Sequence, residues 1–227
     1  MGPGLAALEK MISHTLGVSG PRVDDLADLP GGPELCDFLG RCNGFYAFGD
    51  ALHMFPSGSA RLGEHTLEEW NTEGLWRESY PSSLNGHLCF AEDAVGNQFT
   101  LSANGVFRFD AETAAMEFVA PNLDSWSLSV LADVNRLTGF PLAHAWRLRH
   151  GAVPPGHRLM PRRAFCRGGQ LRVDNLVTVD AVDAMRARGL MVSRDRPSTP
   201  EGVAQWDRDL RTPHPFHLRV PAAAEAD

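Results

Sequence analysis

The chain has 227 residues, 43% of them hydrophobic, and a net charge of −7, enough apolar material for one large domain or a domain with a smaller appendage and too much for a disordered polymer. The charge is unevenly spread: residues 1–126 carry 18 acidic and 6 basic side chains, net −12, whereas residues 127–227 carry 10 acidic and 15 basic, net +5. A phosphate backbone is repelled by the first part, which excludes it as a nucleic-acid binder and suits it to a basic protein partner.

Leu5, Leu8, Met11, Ile12 and Leu16 recur at helical spacing before Gly17, which predicts an amphipathic first helix. After Pro30-Gly31-Gly32-Pro33, residues Glu34 to Arg41 place Leu35, Phe38, Leu39 and Cys42 on one face and stop at Asn43-Gly44, a second short helix. Phe45 to Phe48 and Leu52 to Phe55 flank Gly49-Asp50 and read as a hairpin. Arg61 to Glu73 is acidic, with Leu62, Leu67 and Trp70 as anchors, and is expected to lie over the sheet with a negative outer face. Four strand signals follow, Leu88 to Ala91, Gln98 to Leu101, Val106 to Phe109 and Met116 to Val119, an antiparallel meander with Asn104-Gly105 its clearest turn. Asp124 or Ser125 then caps a helix that carries Trp126, Val130, Leu131, Val134 and Leu137 inward and ends at Gly139 with Pro141.

Beyond Pro141 the chain turns Arg- and Pro-rich. Strands are expected at Leu171 to Val173 and Leu176 to Val179, then a short helix from an Asp180 cap through Arg188, closed by Gly189 before Leu190-Met191-Val192. The pattern is α+β: a largely antiparallel, mixed sheet with helices packed on one side, over residues 1–141, a small α/β extension over 142–212 packed on it, and a flexible tail over 213–227. Arg158, Arg162, Arg163, Arg167 and Arg172 in the extension either bind an acidic ligand or pair with the acidic first part; pairing needs no partner and is preferred.

No apolar run reaches the ~18 residues of a membrane span, and Met1-Gly2-Pro3-Gly4 lacks the basic start and apolar stretch of a signal peptide. Cys36, Cys42, Cys89 and Cys166 are widely spaced with aromatic or aliphatic neighbours, as buried reduced thiols are. A cytoplasmic protein is expected. No metal site is expected: His144, His150 and His157 with Asp133 form no recognised ligand spacing, and His214-Pro215-Phe216-His217 sits in a proline-rich tail. With no GxSxG elbow, activated cysteine or phosphate loop, neither an enzyme nor a cofactor is expected.

Several local signatures, in their order, resemble the SUKH superfamily, which includes a yeast cell-wall synthesis regulator and many bacterial immunity proteins. They are Phe38-Leu39 with Asn43-Gly44-Phe45, Leu52-His53-Met54-Phe55-Pro56, Phe90-Ala91-Glu92-Asp93 with Gly96-Asn97, Gly105-Val106-Phe107-Arg108-Phe109-Asp110, and Asn122-Leu123-Asp124-Ser125-Trp126, spanning roughly residues 5–138. A second glycine after Asn43-Gly44, present in many members, is missing. The resemblance implies a binding scaffold that neutralises a cognate secreted bacterial toxin, a nuclease or deaminase among the options, by occlusion; the alternative is a regulatory scaffold of the same fold with an endogenous protein partner. The candidate toxin-facing residues are Glu64, Glu68, Glu69, Glu73, Glu78, Glu92 and Asp93, with Trp70 and Trp76 as anchors if exposed. A solvated acidic face and two core tryptophans are the competing reading.

Overall fold

Each strand of the main sheet pairs with its neighbour in the chain. The computed structural model describes residues 1–22, 26, 31–80, 84–195, 199 and 201; residues 213–227, with His214 and His217, lie outside the described residues. Strands β1 (Ile12–Thr15), β2 (Phe45–Ala47), β3 (Leu52–Met54), β4 (Leu88–Asp93), β5 (Gln98–Ser102), β6 (Gly105–Phe109) and β7 (Met116–Ala120) form one antiparallel sheet in sequential order, and β8 (His157–Pro161) pairs with β9 (Leu176–Asp180) in a second. Among the described residues seven α-helices accompany them: α1 (Pro3–Glu9), α2 (Gly32–Leu39), α3 (Leu67–Trp70), α4 (Leu123–Ala132), α5 (Val134–Thr138), α6 (Phe140–His150) and α7 (Ala181–Asp195). This is the α+β class that the pattern implies, and among the described residues no helix is long and apolar enough to cross a membrane.

Strand alternation sends side chains to opposite faces. Phe45 and Phe99 meet Phe38 of α2 and Trp126 of α4. The residues between them in the pleat, Tyr46, His53, Glu92 and Gln98, face the other way, toward α3, β8 and α7. One core cluster contains Leu5, Phe38, Phe55, Trp70, Trp76 and Trp126 among its buried members. The Asn104-Gly105 turn needs its glycine: φ is 113°, and a Cβ there would lie 2.5 Å from the Ala120 carbonyl oxygen.

The structure departs from the sequence expectations at several helices. The first helix stops at Glu9, and Ile12 to Thr15 leave its spacing to become β1, where the β-branched Ile12 and Thr15 pair with Ala47 and Phe45. Asn122, not Asp124 or Ser125, caps α4 by accepting the Ser125 N–H, and Asp124 instead accepts the Leu5 N–H and ties α1 to α4. Asp133 breaks that helix and caps α5, so Val134 and Leu137 belong to a separate element. The expected boundary between residues 141 and 142 falls inside α6, whose first turn tolerates Pro141 because an N–H there has no helical partner. Leu171 to Val173 forms no strand, while the Pro-flanked His157–Pro161 does. Gly189 does not end a helix: α7 runs through it, and the position suits glycine because the helix passes so near Ser79 that a Cβ would lie 2.7 Å from that residue's Cβ.

Candidate functional site

Register, more than sequence proximity, assembles the most polar place in the interior. Tyr46 pairs with His53, His53 with Glu92, and Glu92 with Gln98, one residue from each of β2, β3, β4 and β5. These four polar side chains therefore stand in a row across one face of the sheet, and all are buried. Gln98 Nε2 donates to Glu92 Oε2 at 3.1 Å, and Trp70 Nε1 donates to Gln98 Oε1 at 2.7 Å. The Tyr46 and His53 rings stack at 4.6 Å, with Phe55 edge-on to His53.

Two further groups close the row. Glu64 turns inward from the loop before α3, and its carboxylate accepts the Tyr46 hydroxyl at 3.0 Å and lies 3.7 Å from His53 Nε2. Arg158 enters from β8. Its Nη2 is 2.6 Å from Glu92 Oε1 and touches His53 Nδ1, its Nη1 donates to the Tyr46 hydroxyl at 3.2 Å, and its guanidinium lies 5.3 Å from the Tyr46 ring centre. Arg158 also borders a cavity of about 10 Å³ shared with Asp50, Trp146, Arg147 and Leu159, space for one water.

Charge is balanced within this cluster by proximity. Burial opposes ionisation of Glu92, but the Arg158 guanidinium and hydrogen bonds from His53 and Gln98 outweigh it and hold the carboxyl at about 2. Burial, reinforced by Arg158, pushes His53 below the ordinary imidazole value against the pull of Glu92 and Glu64. His53 Nδ1 lies 2.9 Å from Glu92 Oε1 while its Nε2 is buried without a hydrogen-bond partner; Arg158 Nε is likewise buried and unpaired. Chemically, the arrangement grips a planar cation between the Glu92 carboxylate, the Tyr46 hydroxyl and an aromatic face.

A second anchor lies beside it. Arg188 of α7 donates to the Val95 carbonyl at 2.5 Å and to Ala184 O, while Asp93 accepts Val95 N, Asn97 N and Nδ2, and Arg108 Nη2. Of the five extension arginines singled out above, Arg158 pairs with the acidic first part; Arg167 and Arg172 pair with Asp195 and Asp174 inside the extension. Cys42 and Cys89 are buried thiols pushed up to about 12 by burial. Among the described residues no three His, Cys, Asp or Glu side chains converge as metal ligands.

The candidate contact residues divide by burial. Trp70, Trp76, Glu92 and Asp93 are buried, so they offer no contact face: the two indoles pack at a tilt in the core and the two acids serve the two clusters above. Glu64 points inward, and Glu68 accepts the Ser57 hydroxyl and the Gly58 N–H. Glu69 is exposed and closes a capping box with Thr66 at the start of α3. Glu73 and Glu78 are exposed, Glu73 lying 3.6 Å from Arg77. Sequence reasoning passed over Tyr46, His53 and Gln98; the available signal was a polar residue inside each of several short apolar strands.

The fold and this buried cluster define an α+β protein whose extension is tied by arginines into a seven-stranded meander. No family model matches the chain, and no curated protein matches it by sequence. A solved structure described as "Crystal structure of Atu4351 from Agrobacterium tumefaciens" has a similar fold, with a TM-score of 0.55 and 13% identity over 84% of this chain and 89% of that one. At that identity the likeness is one of fold alone.

Proposed function

We propose that the chain is a cytoplasmic, non-enzymatic immunity protein of SUKH type that binds a cognate, basic bacterial toxin and occludes it, without nucleic acid or membrane as partner. The observation that carries this reading is the exposed acidic run Glu69, Glu73 and Glu78 on a part of the chain with net charge −12. A nuclease presents a basic cleft to its substrate, so an acidic surface both accelerates encounter and covers the cleft. Glu64, Glu68, Glu92 and Asp93 are wholly or partly buried, which leaves the exposed Glu69, Glu73 and Glu78 as the contact charges.

The test is co-expression with the product of a toxin-like gene lying directly upstream, scored by survival and co-purification. Rescue with a stable complex is expected. Glu69→Lys combined with Glu73→Lys and Glu78→Lys is expected to slow association and weaken its dependence on salt. Absence of both rescue and complex sinks the reading in favour of a scaffold with an endogenous partner.

A further inference from the structure

We propose that Tyr46, His53, Glu64 and Glu92 form a guanidinium-binding socket in its own right, for which Arg158 is the ligand supplied in cis. The socket is built by residues that precede Arg158 by many elements: three strands of the main sheet and the loop before α3. Each wall has a separate structural reason to be where it is. Glu92 is aimed by its hydrogen bond from Gln98, which Trp70 fixes in turn; Tyr46 is aimed by its stack on His53 and its bond to Glu64.

The walls match the shape of the group they hold. A guanidinium is planar, carries donors in a fork and stacks on rings, whereas an ammonium is a point charge on a flexible stem. Here one nitrogen meets Glu92, a second meets the Tyr46 hydroxyl, and the plane lies near the Tyr46 ring. Glu92 meets the guanidinium directly and Glu64 reaches it through the shared Tyr46 hydroxyl, so the position carries a surplus of negative charge when empty. The small cavity beside Arg158, with Asp50 and Arg147 at its edge, adjoins the position from the α6 side.

An occupant that fits by shape as well as charge makes the attachment of the extension arginine-selective. Other contacts along the extension, Arg188 to Val95, Arg186 to the Leu75 carbonyl, Ser193 to the Ser79 carbonyl and Cys166 N to Glu112, hold it in register beside the socket. Truncating Arg158 therefore empties the site while these contacts remain.

The experiment is thermal unfolding of the full-length Arg158→Ala variant in low-millimolar guanidinium chloride, with equal sodium and methylammonium chloride as controls. A saturable rise of several degrees is expected with guanidinium, little with methylammonium, and none with guanidinium in Arg158→Ala combined with Glu92→Gln. An equal response to all three salts, or an unchanged response when Glu92 is neutralised, overturns the proposal. Should Arg158→Ala not accumulate as folded protein, Arg158→Lys decides: a Tm several degrees below wild type supports a guanidinium-shaped socket, and wild-type Tm overturns it.

Discussion

Arg158 and His53 converge on one oxygen of Glu92, at 2.6 Å and 2.9 Å, so a single carboxylate joins the β8 strand to the middle of the main sheet. Removing the cation leaves Glu92 buried between His53 and Gln98 with no arginine counter-charge. Arg158→Met is expected to destabilise the fold by about 3–5 kcal/mol, the cost of breaking one side of a buried pair. Urea unfolding at neutral pH measures it; a loss below about 1 kcal/mol, the worth of an exposed pair, contradicts the buried arrangement.

Acid should weaken the protein in two stages. His53 and His87 are held below the ordinary 6.5, chiefly by burial, so the unfolded chain takes up their protons first and stability falls as pH drops below 6.5. Glu92 sits at about 2 against an ordinary 4.5, so its contribution is present above 4.5 and is lost on further descent toward 2. Glu112, raised by burial, works in the opposite direction above 4.5, where the folded protein takes up its proton before the unfolded chain does, and so offsets part of the first stage. In Arg158→Met burial acts on Glu92 without its cation and raises the carboxyl, so protonation on acidification neutralises a stranded charge and opposes the loss from His87. Unfolding free energy measured across this range distinguishes the two profiles.

Gly189→Ala tests the close approach of α7. In an ordinary helix this change stabilises by about 1 kcal/mol. Here the new Cβ would lie 2.7 Å from the Ser79 Cβ and 2.8 Å from its carbonyl oxygen, so α7 must shift. A net loss of about 1–3 kcal/mol, the usual cost of overpacking, is expected. A stabilised variant would show that residues 77–79 yield easily.

Thr66→Ala removes the hydroxyl that accepts the Glu69 N–H and opens the capping box of α3. A loss of about 1 kcal/mol is expected, read from the denaturation midpoint. Glu69→Gln retains the reciprocal bond to the Thr66 N–H and should cost less, which separates the capping role of Glu69 from its surface charge.

The strands were readable because each is a short apolar run bounded by turn residues, and β2 to β7 fall on the predicted positions. Helix limits were less so, since tertiary pairing decides them: β1 takes Ile12 to Thr15 from a helical pattern because the edge of β2 offers free hydrogen-bonding groups. Pro154, Pro155 and Pro161 read as breakers and concealed β8, an edge strand in a two-stranded sheet, where proline at the end costs no ladder bond. Acidic residues were readable as acidic but not as buried or exposed. Glu64 and Glu69 lie in one segment and have opposite fates, because Glu64 finds Tyr46 and His53 across the fold while Glu69 finds the nearby Thr66. The cluster itself depends on strand register, which the spacing of His53 and Glu92 along the chain does not reveal.

The sequential order of the main sheet bears on synthesis. Domains fold as the chain emerges, N-terminal parts first, and every strand of this meander can pair as soon as its neighbour leaves the ribosome. The cation for Glu92 is the exception, since Arg158 follows all seven strands. Until it emerges, the Glu92 carboxylate on one face of the sheet has hydrogen-bond partners in His53 and Gln98 but no counter-charge, so that face stays hydrated and that layer of the core stays open. Drying of the interior is thus postponed to the arrival of β8, and a chain released before residue 158 would be left with this layer unsealed.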